Sequence, residues 1–228
     1  MIQEIPIPFR LYRGDLTKPP TKWDDSFNLE TNYGKKYGEK GPKNKAGLYF
    51  FHDHIDVSHS YAQNLLVKEN KEKTDNFKTE YHITETCLKE PIRIIDFSKC
   101  HSMFMITEVL FNNGIDVLTD KFINHQDNNP FSHFLEPYHK YKETNDSLHL
   151  LKIRLIKKGD GYDYSYFGQA ITDFENGVEL KKLLVEKNLD GYRWREHDDP
   201  RGLTYCLVNS EKISAPITNQ FDTNGTTD

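Results

Sequence analysis

Three cysteines in 228 residues, Cys87, Cys100 and Cys206, are too few and too scattered for a disulfide framework or a zinc motif. An odd set of distant thiols fits a reducing compartment, the cytoplasm being the simplest. No apolar run approaches the roughly 18 residues that a membrane-spanning helix needs, so no membrane span is expected. Positive charge is also short: the net charge of -5 excludes the broad basic surface on which general nucleic-acid binding depends, and DNA is not an expected partner. The opening MIQEIPIPFRLYRGD lacks a charged start followed by an apolar stretch, so no conventional secretion signal is expected. Also missing are a Gly-x-Ser-x-Gly elbow, a P-loop and a Gly-x-Gly-x-x-Gly fingerprint. Those absences argue against a serine hydrolase and against a doubly wound dinucleotide fold.

Aromatic residues are plentiful. Thirteen tyrosines and fourteen phenylalanines lie within an apolar fraction of 36%, and each ring buries a large area. One compact domain can form on that core without metal or disulfide support. The expected organisation is a single domain over residues 1 to 214, with an inserted segment at about 100 to 147 and a frayed tail over 215 to 228.

Residues 9 to 13 read as a strand entering a turn at Gly14 and Asp15. The lysine-rich stretch that follows, to residue 46, has no sustained period and reads as a solvated loop or a phosphate-attracting lid. A strand over 47 to 51 leads into a helix that Asp56 would cap. Strands follow at 79 to 86 and 92 to 96, then a helix from 99 to 112 capped by Ser98 and ended by Gly114. Residues 148 to 156 read as a buried strand and 177 to 187 as a helix. A hairpin of 192 to 196 and 203 to 208 closes the chain around the turn HDDPRG. Strands and helices without regular alternation give an α+β class with a largely antiparallel sheet.

Two segments carry a resemblance. Leu11-Tyr12-Arg13-Gly14, followed by GLYFFHDHIDVSHSYA over residues 47 to 62, resembles the ADP-ribosyltransferase superfamily of poly-ADP-ribose polymerases and bacterial toxins and effectors. Asp190-Gly191-Tyr192 and TYCLVNSEKI over 204 to 213 resemble its closing strands. The resemblance implies a split antiparallel β-sandwich with flanking helices and NAD as the substrate. It further implies a mono-ADP-ribosyltransferase of toxin or effector type that modifies a side chain of an acceptor protein. Export would then mean delivery into a host cell by a secretion system that needs no conventional signal peptide. The rivals are an NAD glycohydrolase of the same fold and a degenerate module that only binds NAD or a partner.

Each position has a chemical reason. By resemblance Arg13 and Gly14 hold NAD, the guanidinium clamping phosphate or ribose oxygens in a fork. Tyr49 and Tyr61 would stack on the flat cationic nicotinamide, and Ser58 would hydrogen-bond its amide. Cleavage passes through an oxocarbenium-like state that a carboxylate stabilises. At the position where the family carries that glutamate, this chain has Thr204. Glu196, across the hairpin, is the favoured replacement, with Asp198 and Asp199 in the turn behind it and Glu136 and Glu175 as outside candidates. His52-Asp53-His54 with Asp56 invites a metal, but no third ligand cluster stands at metal-site spacing, so none is expected.

Overall fold

The computed structural model describes residues 1–19, 21–23, 49–71, 75, 77–100, 105, 109, 112–114, 139–141, 143–146, 149, 178–195 and 201–222. Its elements are β1 (Ile2–Ile5), β2 (Arg10–Asp15), β3 (Tyr49–His52), α1 (Ile55–Lys71), β4 (Glu80–Cys87), β5 (Ile92–Asp96), α2 (Val178–Glu186), β6 (Gly191–Trp194), β7 (Thr204–Leu207) and β8 (Ile217–Asp222). The strands make one sheet in the order β1-β5-β6-β7-β3-β2-β4-β8, in which only β5 and β6 run parallel. This is a mixed α and β protein with a mostly antiparallel sheet, as the pattern of elements suggested.

The sheet has a weak seam. β2 pairs with β4 over six residues and β3 with β7 over four, whereas β2 meets β3 only at Tyr12 and His52. Beyond Tyr12, β2 runs through Arg13, Gly14 and Asp15 with β4 on one side and no β3 partner on the other. The main core lies on one face, where Leu11, Tyr49, Phe51, Ile92, Ile94, Tyr205 and Leu207 gather around Trp23. Burying each such side chain contributes roughly 1.5–3 kcal/mol. Trp23 is pinned there by its indole N–H, which donates to the Ser214 carbonyl at 2.7 Å.

On the other face α1 covers β2 and β4. Ala62 and Leu66 of the helix pack on Tyr81 and Ile83, while Lys68 and Lys71 in its last turn suit the helix dipole. Asp56 is not its cap. The helix starts at Ile55, and the His54 carbonyl accepts from the amides of Val57 and Ser58, so Asp56 lies within the first turn, exposed.

Two further expectations change. Gly14 and Asp15 do not turn; they continue β2 and face Ile83 and His82 of β4. Residues 217 to 222 are not a tail: their alternating exposure lets six residues pair along β4 as edge strand β8. Ile2–Ile5, for which no element was expected, gives edge strand β1 along β5. The hairpin of β6 and β7, the strand β5 and the helix α2 lie where they were expected. In the expected helix over 99 to 112, Met105, Val109 and Asn112 are helical, and Gly114 takes a left-handed φ of 64°. Of the strand expected over 148 to 156 only His149 is described, and it is helical.

Candidate functional site

Alternation along β2 sends its neighbours to opposite faces. Gly14 points toward α1, and the fit is close: a Cβ there would overlap the Ser58 carbonyl oxygen and lie 2.9 Å from the Ala62 Cβ. No other residue type lets the helix backbone approach the strand this far. Gly14 therefore joins the Arg-Gly segment directly to the Ser-x-x-Tyr helix. A second glycine closes the arrangement, because a Cβ on Gly202 would sit 2.8 Å from Asp53 Oδ1 and 2.9 Å from Val57 Cγ2. Beside it the Leu203 amide donates to Asp53 Oδ1 at 2.7 Å and the Asp53 amide to the Leu203 carbonyl at 3.1 Å. The start of β7 is thereby fixed to the junction of β3 and α1.

On the α1 side, Ser58 is fully buried and its Oγ has no hydrogen-bond partner. Tyr61, three residues on, is 47% exposed and inclines its ring against His52, with centroids 5.7 Å apart. His52 is buried, and its Nδ1 lies 3.2 Å from Thr204 Oγ1. The position where the resemblance calls for a glutamate thus holds a buried threonine hydrogen-bonded to a histidine. Thr204 also faces Trp194, whose indole nitrogen is buried without a partner.

Arg13 leaves β2 on the opposite face, with Leu11. Its Nε donates to both Asp15 oxygens, at 2.8 and 3.1 Å, and the two side chains are each 17% exposed. Across the strand boundary Arg13 faces Thr84 and Asp15 faces His82. Thr84 is fully buried, and its hydroxyl is 3.1 Å from that of Thr218. His82 is 8% exposed and its Nδ1 is buried with no partner. Burial lowers the His82 pKa below the ordinary histidine value, and the nearby Asp15 and Glu80 carboxylates and a side-chain hydrogen bond with Gln220, its neighbour on β8, offset only part of that.

The structure therefore brings the motif backbones together but not all of their side chains. Arg13 and Tyr61 stand on opposite faces of the β2–β4 ladder. Tyr49 belongs to the core: fully buried, it meets Trp23 edge-on at 5.7 Å and lies parallel to Phe51 at 6.4 Å. With no surface exposed, the ring offers no face for stacking on nicotinamide. Gly47, Leu48, Glu196, Asp198, Asp199, Glu136 and Glu175 lie outside the described residues. His54 is exposed beside Asp56, with 3.7 Å between Nδ1 and the carboxylate. Among the described residues no three His, Cys, Asp or Glu side chains are placed to hold a metal ion, and no helix is long and apolar enough to cross a membrane.

No protein-family model matches this chain, and no curated protein matches it. The site must be read from its own residues.

His82 and Trp23 escaped the sequence reading. For His82 a signal was present: in Glu80–Cys87 the residues His82, Thr84 and Thr86 alternate with Tyr81 and Ile83, and a strand buried on its polar face needs a reason. Trp23 stands alone in a loop-like composition, where no period marks it as core.

Proposed function

We propose that this chain is an NAD-dependent mono-ADP-ribosyltransferase of bacterial toxin or effector type, built on a split antiparallel β-sandwich, that modifies a side chain of an acceptor protein. The observation that carries the reading is the contact of Gly14 with Ser58 and Ala62. Two segments separated by more than forty residues, which together carry the family resemblance, meet backbone to backbone. The seam after Tyr12 adds to it, because it leaves Arg13 and Gly14 bordering a gap between strands rather than filling a continuous sheet.

In this reading NAD enters at the seam. Ser58 Oγ, buried and without a partner, hydrogen-bonds the nicotinamide amide, and the exposed ring of Tyr61 stacks on the nicotinamide. The Arg13 guanidinium approaches phosphate oxygens from the inner side of β2. The bond between the ribose C1 carbon and the nicotinamide nitrogen breaks, and its electron pair neutralises the pyridinium. The acceptor side chain forms the new bond to C1 and loses its proton to solvent or to a carboxylate. Glu196, two residues past the end of β6, is the carboxylate favoured for that task. Tyr49 acts in the core and contributes no stacking face.

Thr204 favours a second reading. A buried hydroxyl bonded to His52 stabilises no positive charge, so a domain that holds NAD without cleaving it also fits this position. Incubation of the protein with labelled NAD and a cell lysate separates the cases. Labelled protein bands support the transferase; free ADP-ribose alone means a glycohydrolase; intact NAD that is bound but not consumed means the binding module. Arg13→Ala is expected to abolish consumption and Glu196→Gln to lower it by a factor on the order of hundreds. A protein that neither binds nor consumes NAD ends the proposal.

A further inference from the structure

The inner face of β2 and β4 holds a polar cluster to which the α1 side contributes nothing. Asp15 and His82 are directly paired neighbours, Arg13 grips the Asp15 carboxylate through Nε, and Thr84 lies one step along. Ordinary packing does not account for it. An orphaned imidazole nitrogen destabilises a folded protein, and the strand's other inward positions, Thr84 and Thr86, are satisfied by Thr218 and Ser214. Among these inward positions of β4 only His82 keeps an unused hydrogen-bonding atom, its Nδ1.

We propose that Asp15 and His82 together bind the vicinal hydroxyls of a ribose, making this chain selective for ribonucleotides carrying an unmodified diol. Carboxylate oxygens accept hydrogen bonds, and adjacent ribose hydroxyls present two donors side by side. Asp15 takes one hydroxyl and His82 Nδ1 the other. The ion pair with Arg13 fixes the carboxylate on the inner face and offsets its charge, so that phosphates linked to the same ribose are not repelled. A 2'-phosphate in place of the hydroxyl would bring its own charge against Asp15 and remove the donor that the pair reads. The cluster borders the seam beyond Tyr12, where β2 has no β3 partner, so a ribose here and a nicotinamide at Ser58 contact the same strand from its two sides. In that respect the inference rests on the NAD reading, but the diol site itself does not require it.

The test measures binding of ADP, 2'-deoxy-ADP, NAD and NADP to the whole chain, with the His82 ring proton followed by NMR. ADP is expected to bind about ten-fold more tightly than 2'-deoxy-ADP, and NAD more tightly than NADP, with the His82 resonance moving on addition of ADP. In His82→Phe, which keeps the ring volume but no hydrogen-bonding atom, the preference for the ribose form is expected to vanish. His82→Asn, whose amide oxygen can stand near the place of Nδ1 and accept the same hydrogen bond, restores part of it. ADP bound with this selectivity but NAD not bound would end the NAD reading and leave the diol site standing. NAD bound with equal affinity by the parent and His82→Phe, or an unmoved His82 resonance in the parent protein, overturns the site. Failure to bind any of the four ends both.

Discussion

Two arginines stand half-hidden on strands of this sheet, and they are used differently. Arg193 in β6 donates from Nη1 to the Tyr205 hydroxyl at 2.8 Å and from Nη2 to Asp96 Oδ2 at 2.7 Å and to Gln3 Oε1 at 2.5 Å. Those partners lie on β7, β5 and β1, so one guanidinium ties four strands. Burial by itself lowers the Arg193 pKa, but the hydrogen bonds and charges of Asp96 and Tyr205 raise it well above the usual value. For Asp96, burial pushes up and the bonds from Arg193 and Ser98 more than reverse it, so its carboxyl is held low. Arg13 instead grips Asp15, two residues along its own strand, an ion pair that joins no two strands. The first arrangement holds a fold together. The second sets a guanidinium on the strand that borders the seam, where the proposed NAD would meet it.

The sharpest way to break that distinction is to remove each arginine. Arg193→Met leaves Asp96 buried without its partner and is expected to cost about 3 kcal/mol, read as a lower midpoint in urea unfolding. Arg13→Met, which breaks a pair within one strand, is expected to cost less than Arg193→Met while abolishing NAD consumption. Equal destabilisation by both changes would show that Arg13 is also a structural tie.

The comparison also explains what could be read from the sequence. The hairpin of β6 and β7 was legible because two strand-type runs flank the polar turn HDDPRG, and the helix α1 because a long run without proline or glycine follows the polar junction after β3. β8 was not legible. Thr218, Asn219, Gln220 and Asp222 carry little apolar signal, and the strand exists because β4 offers an edge. Gly14 was read as a turn because glycine marks turns more often than close approaches, and a strand alone does not disclose the helix that will cross it. Of the site residues, Arg13, Gly14, Ser58 and Tyr61 were recognised from their motifs, yet which face each side chain takes depends on the register of β2 with β4. The Tyr49 motif was equally visible, but Trp23, far away in the sequence order of elements, turns that ring into core.

Gly14→Ala sharpens the same point at smaller cost. The added methyl must displace the Ser58 carbonyl and Ala62, and neither is the flexible end of a long side chain. Overpacking of this kind is expected to cost about 1–3 kcal/mol. It should also weaken NAD binding, since α1 has to move away from β2. A variant of unchanged stability and binding would mean that the contact between the motifs is not required.

The smallest effect expected is in pH. Burial lowers the pKa of both His59 and His82 from the ordinary value of 6.5. Above that value neither the folded nor the unfolded chain carries these protons, and the histidines contribute no pH dependence. As pH falls through 6.5 the unfolded chain binds protons first, so stability declines until the lower, folded values are passed. Asp96, held low, acts with the same sign but in a more acidic window, because its contribution is lost only as pH falls below the usual carboxylate range. Melting temperatures measured between about pH 7 and pH 5 isolate the histidines on these ordinary pKa values. The decline should be shallower in His82→Asn, which takes up no proton in either state. An unchanged slope would mean that the His82 ring is protonated as easily in the fold as out of it, and that its orphaned nitrogen is in contact with water.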